Sequence, residues 1–332
     1  MEFAVVLEDT SADNSESGTQ QLVERARDAE DLGFDAVFLP DHYVFEELGE
    51  LNLRTAAYDP FLVMAALAQT TKRIKLFSHV ACVLFRHPAM LARLFAQIDE
   101  ASGGRVVAGL GAGWTRAEFE MMGIDFPSPA TRLQVLDETV DVLRGLWTHE
   151  RFSYAGDHFT LTEAVCLPRP LQEPGPPIML GGSGKGILER AGRWADIIHM
   201  VPATGTAGTI TLSEIRKFSD DAIPIKIQQV RDAEAAAGRP FGSVAFATTT
   251  FNLTFTKTPE HTKETCEGVG GMFGLSAEDV FKHPVNLIGS PEEMVDELQR
   301  RREQHGLSLL GIRANAVNDL RLLADEVLPK LR

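Results

Sequence analysis

Cysteine is scarce in this sequence, and the few cysteines are scattered. The 332 residues include Cys82, Cys166 and Cys266, and no two of them form a Cys-x-x-Cys pair. Neither a zinc site nor a disulfide framework has this spacing. We therefore expect a protein of a reducing compartment, the cytoplasm, that carries no metal.

Long apolar runs and an excess of positive charge are also missing. No stretch reaches the roughly 18 apolar residues of a membrane-spanning helix, and no basic region precedes an apolar one at the N-terminus. Lysine and arginine number 32 against 47 aspartates and glutamates, a net charge of −15. Nucleic-acid phosphates bind basic surfaces. The composition therefore predicts a globular protein that contacts neither a membrane nor nucleic acid.

Short apolar runs alternate with longer amphipathic segments along most of the chain. Two stretches, about 150–177 and about 257–287, interrupt this alternation and are interpreted as irregular insertions. No segment resembles a linker, which disfavours the rival arrangement, an open doubly wound sheet. The pattern predicts one α/β domain over residues 1–332, a (β/α)8 TIM barrel with insertions. Its eight strand candidates end near Leu7, Leu39, Phe77, Leu110, Leu180, Met200, Phe255 and Ile312.

In such a barrel, chemistry occurs where strands end and helices begin. Asp41 and His42 follow the second strand, where a carboxylate and an imidazole could orient and protonate a bound ring. A loop histidine bonded to backbone is the alternative. His79, Val80 and Cys82 follow the third strand and could support a flat ring, although composition favours a buried extension of the strand.

Glycines cluster after the fourth and fifth strands. Gly111 and Gly113 alternate with other residues and permit a ligand to approach the backbone closely. Glu118, a few residues later, is interpreted with Glu120 as part of a solvated helix face. The run Gly181, Gly182, Ser183 and Gly184 leads into a helix, whose first N–H groups suit a phosphate. A flexible turn is the alternative for this run.

Taken in order, these segments resemble the luciferase-like monooxygenase superfamily, and within it the branch that depends on coenzyme F420, a deazaflavin. The resemblance covers about residues 1–200 closely and the last third more loosely. The matching stretches are Leu32–Tyr43 (LGFDAVFLPDHY), Arg86–Pro88 (RHP), Leu94–Asp99 (LFAQID), Ser102–Arg105 (SGGR), Gly109–Trp114 (GLGAGW), Leu167–Pro170 (LPRP), Pro176–Gly184 (PPIMLGGSG) and Ala191–Asp196 (AGRWAD).

The resemblance implies a barrel that is normally dimeric, with the cofactor ring in its mouth and the cofactor phosphate on the turn after strand five. It implies a non-proline cis peptide at His79–Val80 behind the ring. It also implies that His42 moves the proton that accompanies hydride transfer and that Asp41 binds the polar edge of the ring. The implied cofactor-binding residues are Asp41, His79, Val80, Cys82, Gly111, Gly113, Gly181, Gly182, Ser183 and Gly184.

An Asp-His pair after strand two and Trp114 after strand four are typical of the deazaflavin users. The resemblance therefore implies hydride transfer between coenzyme F420 and an unidentified small organic substrate. A sugar-phosphate dehydrogenase group has glutamate at the place of Trp114 and tryptophan at that of Glu46, which argues against a sugar phosphate. The alternatives are an FMN-dependent monooxygenase supplied by a separate cofactor-reducing enzyme and a non-catalytic flavin-binding barrel.

Overall fold

The computed structural model describes residues 1–8, 18–47, 50–52, 58–204, 210–314 and 316–332, with backbone alone for 45–47 and 50–52. The side chain of Glu46 lies outside this part of the chain. The strands are β1 (Glu2–Val6), β2 (Ala36–Leu39), β3 (Phe45–Glu47), β4 (Glu50–Asn52), β5 (Lys75–Ser78), β6 (Ala81–Cys82), β7 (Val106–Gly111), β8 (Phe152–Ala155), β9 (Thr160–Ala164), β10 (Ile178–Gly181), β11 (Ile197–Met200), β12 (Ala245–Thr250), β13 (Asn252–Phe255), β14 (Asn286–Gly289) and β15 (Leu307–Ile312).

The helices lie between these strands. They are α1 (Gly18–Asp31), α2 (Pro60–Thr70), α3 (Pro88–Ser102), α4 (Arg116–Met122), α5 (Pro129–Thr148), α6 (Lys185–Trp194), α7 (Leu212–Lys217), α8 (Ala222–Ala236), α9 (Pro259–Phe273), α10 (Ala277–Lys282), α11 (Pro291–His305) and α12 (Val317–Leu322). Within the described residues, no helix combines the length and apolar composition needed to cross a bilayer.

Eight parallel strands close into a barrel, in the order β1, β2, β5, β7, β10, β11, β12 and β15. The circle is complete because β15 pairs with β1, and because β7 pairs with β10 across the point where an open sheet would end. The predicted (β/α)8 barrel is therefore confirmed, and the open doubly wound sheet is excluded. The carboxyl ends of all eight strands consequently meet at one rim, which we call the mouth.

Side chains alternate along each strand between the inside and the outside of the barrel, and the apolar core therefore has two parts. Val6, Phe38 and Phe77 belong to the cluster that fills the inside of the barrel. Their neighbours Phe3 and Val5 belong to the larger cluster between the strands and the outer helices. Successive side chains of a strand point to opposite faces, so strands covered on both sides read as continuous apolar runs.

Local capping fixes several helix starts. The carboxylate of Asp59 accepts hydrogen bonds from the amides of Phe61 and Leu62, with Pro60 at the first helical position of α2. At α11, Ser290 and Glu293 form a reciprocal capping box, with each side chain accepting from the other residue's amide. These contacts satisfy N–H groups that have no partner within the helix.

The two insertions differ. The stretch near 150–177 leaves the barrel pattern as expected and contains the antiparallel hairpin β8–β9. The expectation of an irregular segment near 257–287 is wrong, because α9, α10 and β14 occupy it and β14 pairs in parallel with β13. The buried positions of α9 are Thr262, Cys266 and Gly270, at helical spacing but with small side chains. The hydrophobic pattern of this helix is therefore too weak to reveal it.

Candidate active site

The predicted site residues lie at the mouth, after strands that are neighbours in the barrel. Asp41 and His42 follow β2, the His79–Val80 pair follows β5, Gly111 ends β7 and Gly181 ends β10. The glycine-rich turn and the Asp-His pair therefore share one rim. This placement is what a ligand bridging the mouth requires.

The Asp41 carboxylate is buried and engaged by protein groups. Arg86 donates to both of its oxygens, Nη1 to Oδ2 at 2.6 Å and Nη2 to Oδ1 at 3.0 Å. The Cys82 amide also donates to Oδ2 at 2.9 Å, and Arg86 reaches Asp59 at 2.7 Å. Burial lowers the pKa of Arg86, but the carboxylates of Asp41 and Asp59 outweigh it and raise that pKa. Asp41 therefore joins the loop after β2 to the loop after β5, and contact with a cofactor ring stays a prediction.

Glu118 is a site residue that sequence reasoning missed. Its expected place on a solvated helix face is wrong, since only 2% of the residue is exposed. Its Oε2 lies 3.0 Å from Nδ1 of His42. Its Oε1 accepts from the amides of Tyr43 at 2.6 Å and Val44 at 3.1 Å. The signal available in the sequence was its position beside Phe119, which is fully buried on the same short helix.

The surroundings of His42 favour its protonated form. Burial lowers the pKa of His42, but the hydrogen bond and charge of Glu118, together with the charges of Asp41 and Glu8, raise it above the ordinary value. The His42 ring and the Trp114 indole are nearly perpendicular, with ring centres 5.6 Å apart. The imidazole is thus held in one orientation and can supply a proton near neutral pH.

The floor of the mouth is built around Val80. The His79–Val80 peptide is cis, at the position that the resemblance implied. A Cβ added at Gly111 would lie 2.5 Å from Cγ2 of Val80, and one added at Gly181 would lie 2.9 Å from the same atom. Glycine is therefore required on both flanking strands, because any side chain there would overlap Val80.

Cys82 packs beside this floor and has no nucleophilic character. A Cβ added at Gly113, whose φ is +75°, would lie 2.9 Å from its Sγ. Burial raises the pKa of the Cys82 thiol, and the charges of Asp41 and Glu118 raise it further. The protonated thiol is a packing group here, since the thiolate is the reactive form.

The turn after β10 presents backbone rather than side chains. Gly184 is the N-cap of α6 and, as a glycine, has no side chain to cap the first amides of that helix. The Ser183 hydroxyl donates to the carbonyl of Val201 at 2.6 Å, and Lys226 donates to the carbonyl of Ser183 at 3.1 Å. Uncapped N–H groups at a helix start bind phosphate oxygens well. These residues therefore fit the phosphate of a flavin-type cofactor.

Comparison with known proteins identifies the family. The sequence model for luciferase-like monooxygenases matches residues 1–269. The chain belongs to the luciferase-like monooxygenase family. It is an oxidoreductase of the luciferase-like class, and the predicted family membership is confirmed.

Relatives within the family differ in cofactor. The chain is 28% identical over 284 residues to an F420-dependent glucose-6-phosphate dehydrogenase of Amycolatopsis mediterranei, covering 85% of this chain and 78% of that protein. It is 30% identical over 266 residues to an FMNH(2)-dependent dimethylsulfone monooxygenase of Pseudomonas putida, covering 73% and 69%.

Among solved structures, an F420-dependent secondary alcohol dehydrogenase in complex with an F420-acetone adduct is similar over 100% of this chain and 99% of that one. The TM-score is 0.77 at 22% sequence identity, a likeness that shows the luciferase-like fold.

Proposed function

We propose that this protein is a coenzyme F420-dependent oxidoreductase that transfers a hydride between the deazaflavin and a small organic substrate. The observation that carries the proposal is the buried Glu118 carboxylate holding His42 at the mouth of the barrel. Named relatives that depend on F420 support the choice of cofactor. The bound cofactor supplies the hydride chemistry, and the protein supplies position and proton transfer.

The chain's own residues divide this work. The Gly182 amide already donates to the carbonyl of His199 at 2.9 Å, so the amides that follow it, at the start of α6, would hold the cofactor phosphate. The Val80 floor, flanked by Gly111 and Gly181, would support the flat ring. Held by Glu118, the His42 imidazole would exchange a proton with the substrate. Such a positioned acid or base contributes a rate factor of about 10²–10⁴.

Cofactor titration tests the proposal. The purified protein is titrated with F420 and, separately, with FMN, and binding is followed by the fluorescence of each ring. We expect F420 to bind and FMN to compete poorly. Reduced F420 is then mixed with carbonyl and alkene substrates, and its reoxidation in the absence of oxygen is followed by absorbance.

The second candidate is an FMN-dependent monooxygenase that receives reduced flavin from a separate reductase. The dimethylsulfone monooxygenase relative favours it. Tight binding of FMN without binding of F420 would support this candidate and contradict the first. Binding of F420 without hydride transfer across the whole substrate panel would instead support a non-catalytic flavin-binding barrel.

We do not expect glucose 6-phosphate to be the substrate, despite the dehydrogenase relatives. The sequence resemblance implies that Trp114 stands where the sugar-phosphate dehydrogenases have glutamate, and its indole lies beside the His42 ring. Glucose 6-phosphate is therefore mixed with oxidised F420 in a separate assay, in which we expect no reduction of the cofactor. Its oxidation by F420 at a rate comparable to the best substrate would contradict this part of the proposal.

We also propose that the protein works as a homodimer. Leu62 on α2 and Met90 on α3 are large apolar residues that are 74% and 61% exposed, on two adjacent helices. Burial of such residues is a common driving force of association. Light scattering should give the mass of a dimer, and Leu62→Glu should shift it toward the monomer. A monomeric wild-type protein would contradict the proposal.

A further inference from the structure

A buried polar cluster lies inside the barrel, beside the Val80 floor. His79 follows β5, His199 is on β11 and Thr249 is on β12. His199 and Thr249 are 2% and 1% exposed, among the apolar residues that fill the barrel. The proposed function uses neither of them. Burying polar groups costs free energy, so a cluster like this one is expected to have a structural or functional role.

The contact between the two histidines has an unusual geometry. Nε2 of His79 lies 3.3 Å from Nδ1 and 3.2 Å from Nε2 of His199. The ring centres are 4.3 Å apart and the planes are inclined at 77°. An in-plane approach to both nitrogens at once would collide with the Cε1–H between them. Nε2 of His79 therefore lies over the face of the His199 ring.

This geometry selects one tautomer of His79. An N–H directed at an aromatic face is attractive, whereas a nitrogen lone pair in the same place is repelled by the π electrons. Nε2 of His79 therefore carries the proton. In a neutral imidazole the other nitrogen is then a hydrogen-bond acceptor. Nδ1 of His79 has no hydrogen-bond partner within the described part of the chain.

The surroundings hold both rings in place and neutral. The His79 ring stacks on Phe38 with centres 4.3 Å apart, and Nε2 of His199 lies 2.8 Å from Oγ1 of Thr249. Burial lowers the pKa of His199 to about 3. Burial also lowers the pKa of His79 well below its ordinary value, and electrostatic interaction with the nearby imidazoles of His199 and His42 lowers it further.

We propose that His199 is a positioning residue for the cofactor site: it holds His79 as the Nε2–H tautomer, so that Nδ1 of His79 accepts a hydrogen bond from a ring N–H of the bound deazaflavin. The inference rests on the proposed F420 function. His199 acts only through His79, because Nε2 of His79 is the contact that joins them.

Two substitutions separate the aromatic face from the rest of the side chain. His199→Phe keeps a π face for the N–H of His79, whereas His199→Leu removes it. We expect the dissociation constant for oxidised F420, from quenching of its fluorescence, to rise about tenfold in His199→Leu, the cost of about one hydrogen bond. In His199→Phe it should stay within about threefold of wild type. His283→Leu removes another buried histidine, outside the site, and should leave F420 affinity unchanged.

Nitrogen-15 NMR of the protein without cofactor gives a second readout. The chemical shifts of His79 should report the Nε2–H tautomer in wild type and in His199→Phe, and a mixture in His199→Leu. The Nδ1–H tautomer in the wild type would overturn the inference, even if His199→Leu failed to fold. Equal F420 affinity in both folded variants would also overturn it while leaving the proposed function intact. A wild-type protein that binds no F420 would instead overturn the proposed function.

Discussion

Oε2 of Glu118 stands 3.0 Å from Nδ1 of His42, although 76 positions separate the two residues in the chain. The same carboxylate accepts the amides of the two residues that follow His42. One buried side chain of a short helix therefore fixes both the loop after β2 and the imidazole that this loop carries.

Replacing the His42 imidazole should lower the turnover rate more than the affinity for F420. We expect His42→Ala to lower the rate of F420H2 oxidation about 10²-fold or more. The dissociation constant for F420 should change much less, because the proposed phosphate and floor contacts do not involve His42. Stopped-flow absorbance and fluorescence titration measure the two quantities. Turnover equal to wild type would remove His42 from the mechanism.

Glu118→Gln tests the support of His42. The amide keeps the size of the side chain but removes its charge, so the pKa of His42 should fall. The pH profile of turnover should shift to lower pH, and a histidine NMR titration should show the same shift. Glu120→Gln is the matched control, because Glu120 lies on the same helix with an exposed side chain. An unchanged profile in Glu118→Gln would contradict the role of Glu118.

The same pair should make stability depend on pH. Because the folded-state pKa of His42 is raised above 6.5, its protonation stabilises the folded state fully below that pH. This stabilisation is lost as the pH rises through the folded-state pKa. The difference in free energy of unfolding between wild type and His42→Gln should thus be largest near pH 6 and shrink toward pH 9. Urea unfolding at several pH values measures it, and a difference that grows with pH would have the wrong sign.

Arg86 should be important for stability because it neutralises a buried carboxylate. Arg86→Gln leaves Asp41, which is 6% exposed, without its cation. We expect a loss of about 3–5 kcal/mol in the free energy of unfolding. Arg116→Gln breaks an exposed pair with Glu120 and should cost less than about 1 kcal/mol. Similar losses of stability in the two variants would contradict the expected importance of the buried pair between Arg86 and Asp41.

The floor offers a steric test. Gly111→Ala would place a Cβ 2.5 Å from Val80 and should cost about 1–3 kcal/mol and weaken F420 binding. The double variant with Val80→Ala lacks the overlapping methyl groups and should regain part of the lost stability and F420 affinity. Gly268→Ala is the control, since nothing lies within 4 Å of the added Cβ in α9 and alanine favours a helix. Additive effects of the Gly111 and Val80 substitutions would contradict the proposed overlap.

The order of strands and helices, and with it the barrel, was predictable from the sequence because its signals are local. Continuous apolar runs mark strands covered on both sides, as at β2, and Asp59 with Pro60 marks a helix start. These signals also place Asp41, His42 and the turn Gly181–Gly184 at strand ends, since all parallel strands of a closed barrel end at one rim. The helix α9 was not predictable, because its buried residues are small and give no clear helical pattern of apolar side chains.

Which side chains meet across the mouth was decided by the tertiary structure alone. Glu118 turns inward to His42, and His79 places Nε2 over the face of His199, 120 positions away. Closure of the barrel brings these pairs together, and no local pattern encodes that closure. For the same reason Glu118 was expected in solvent: its short helix has no periodicity long enough to show which face the fold would bury.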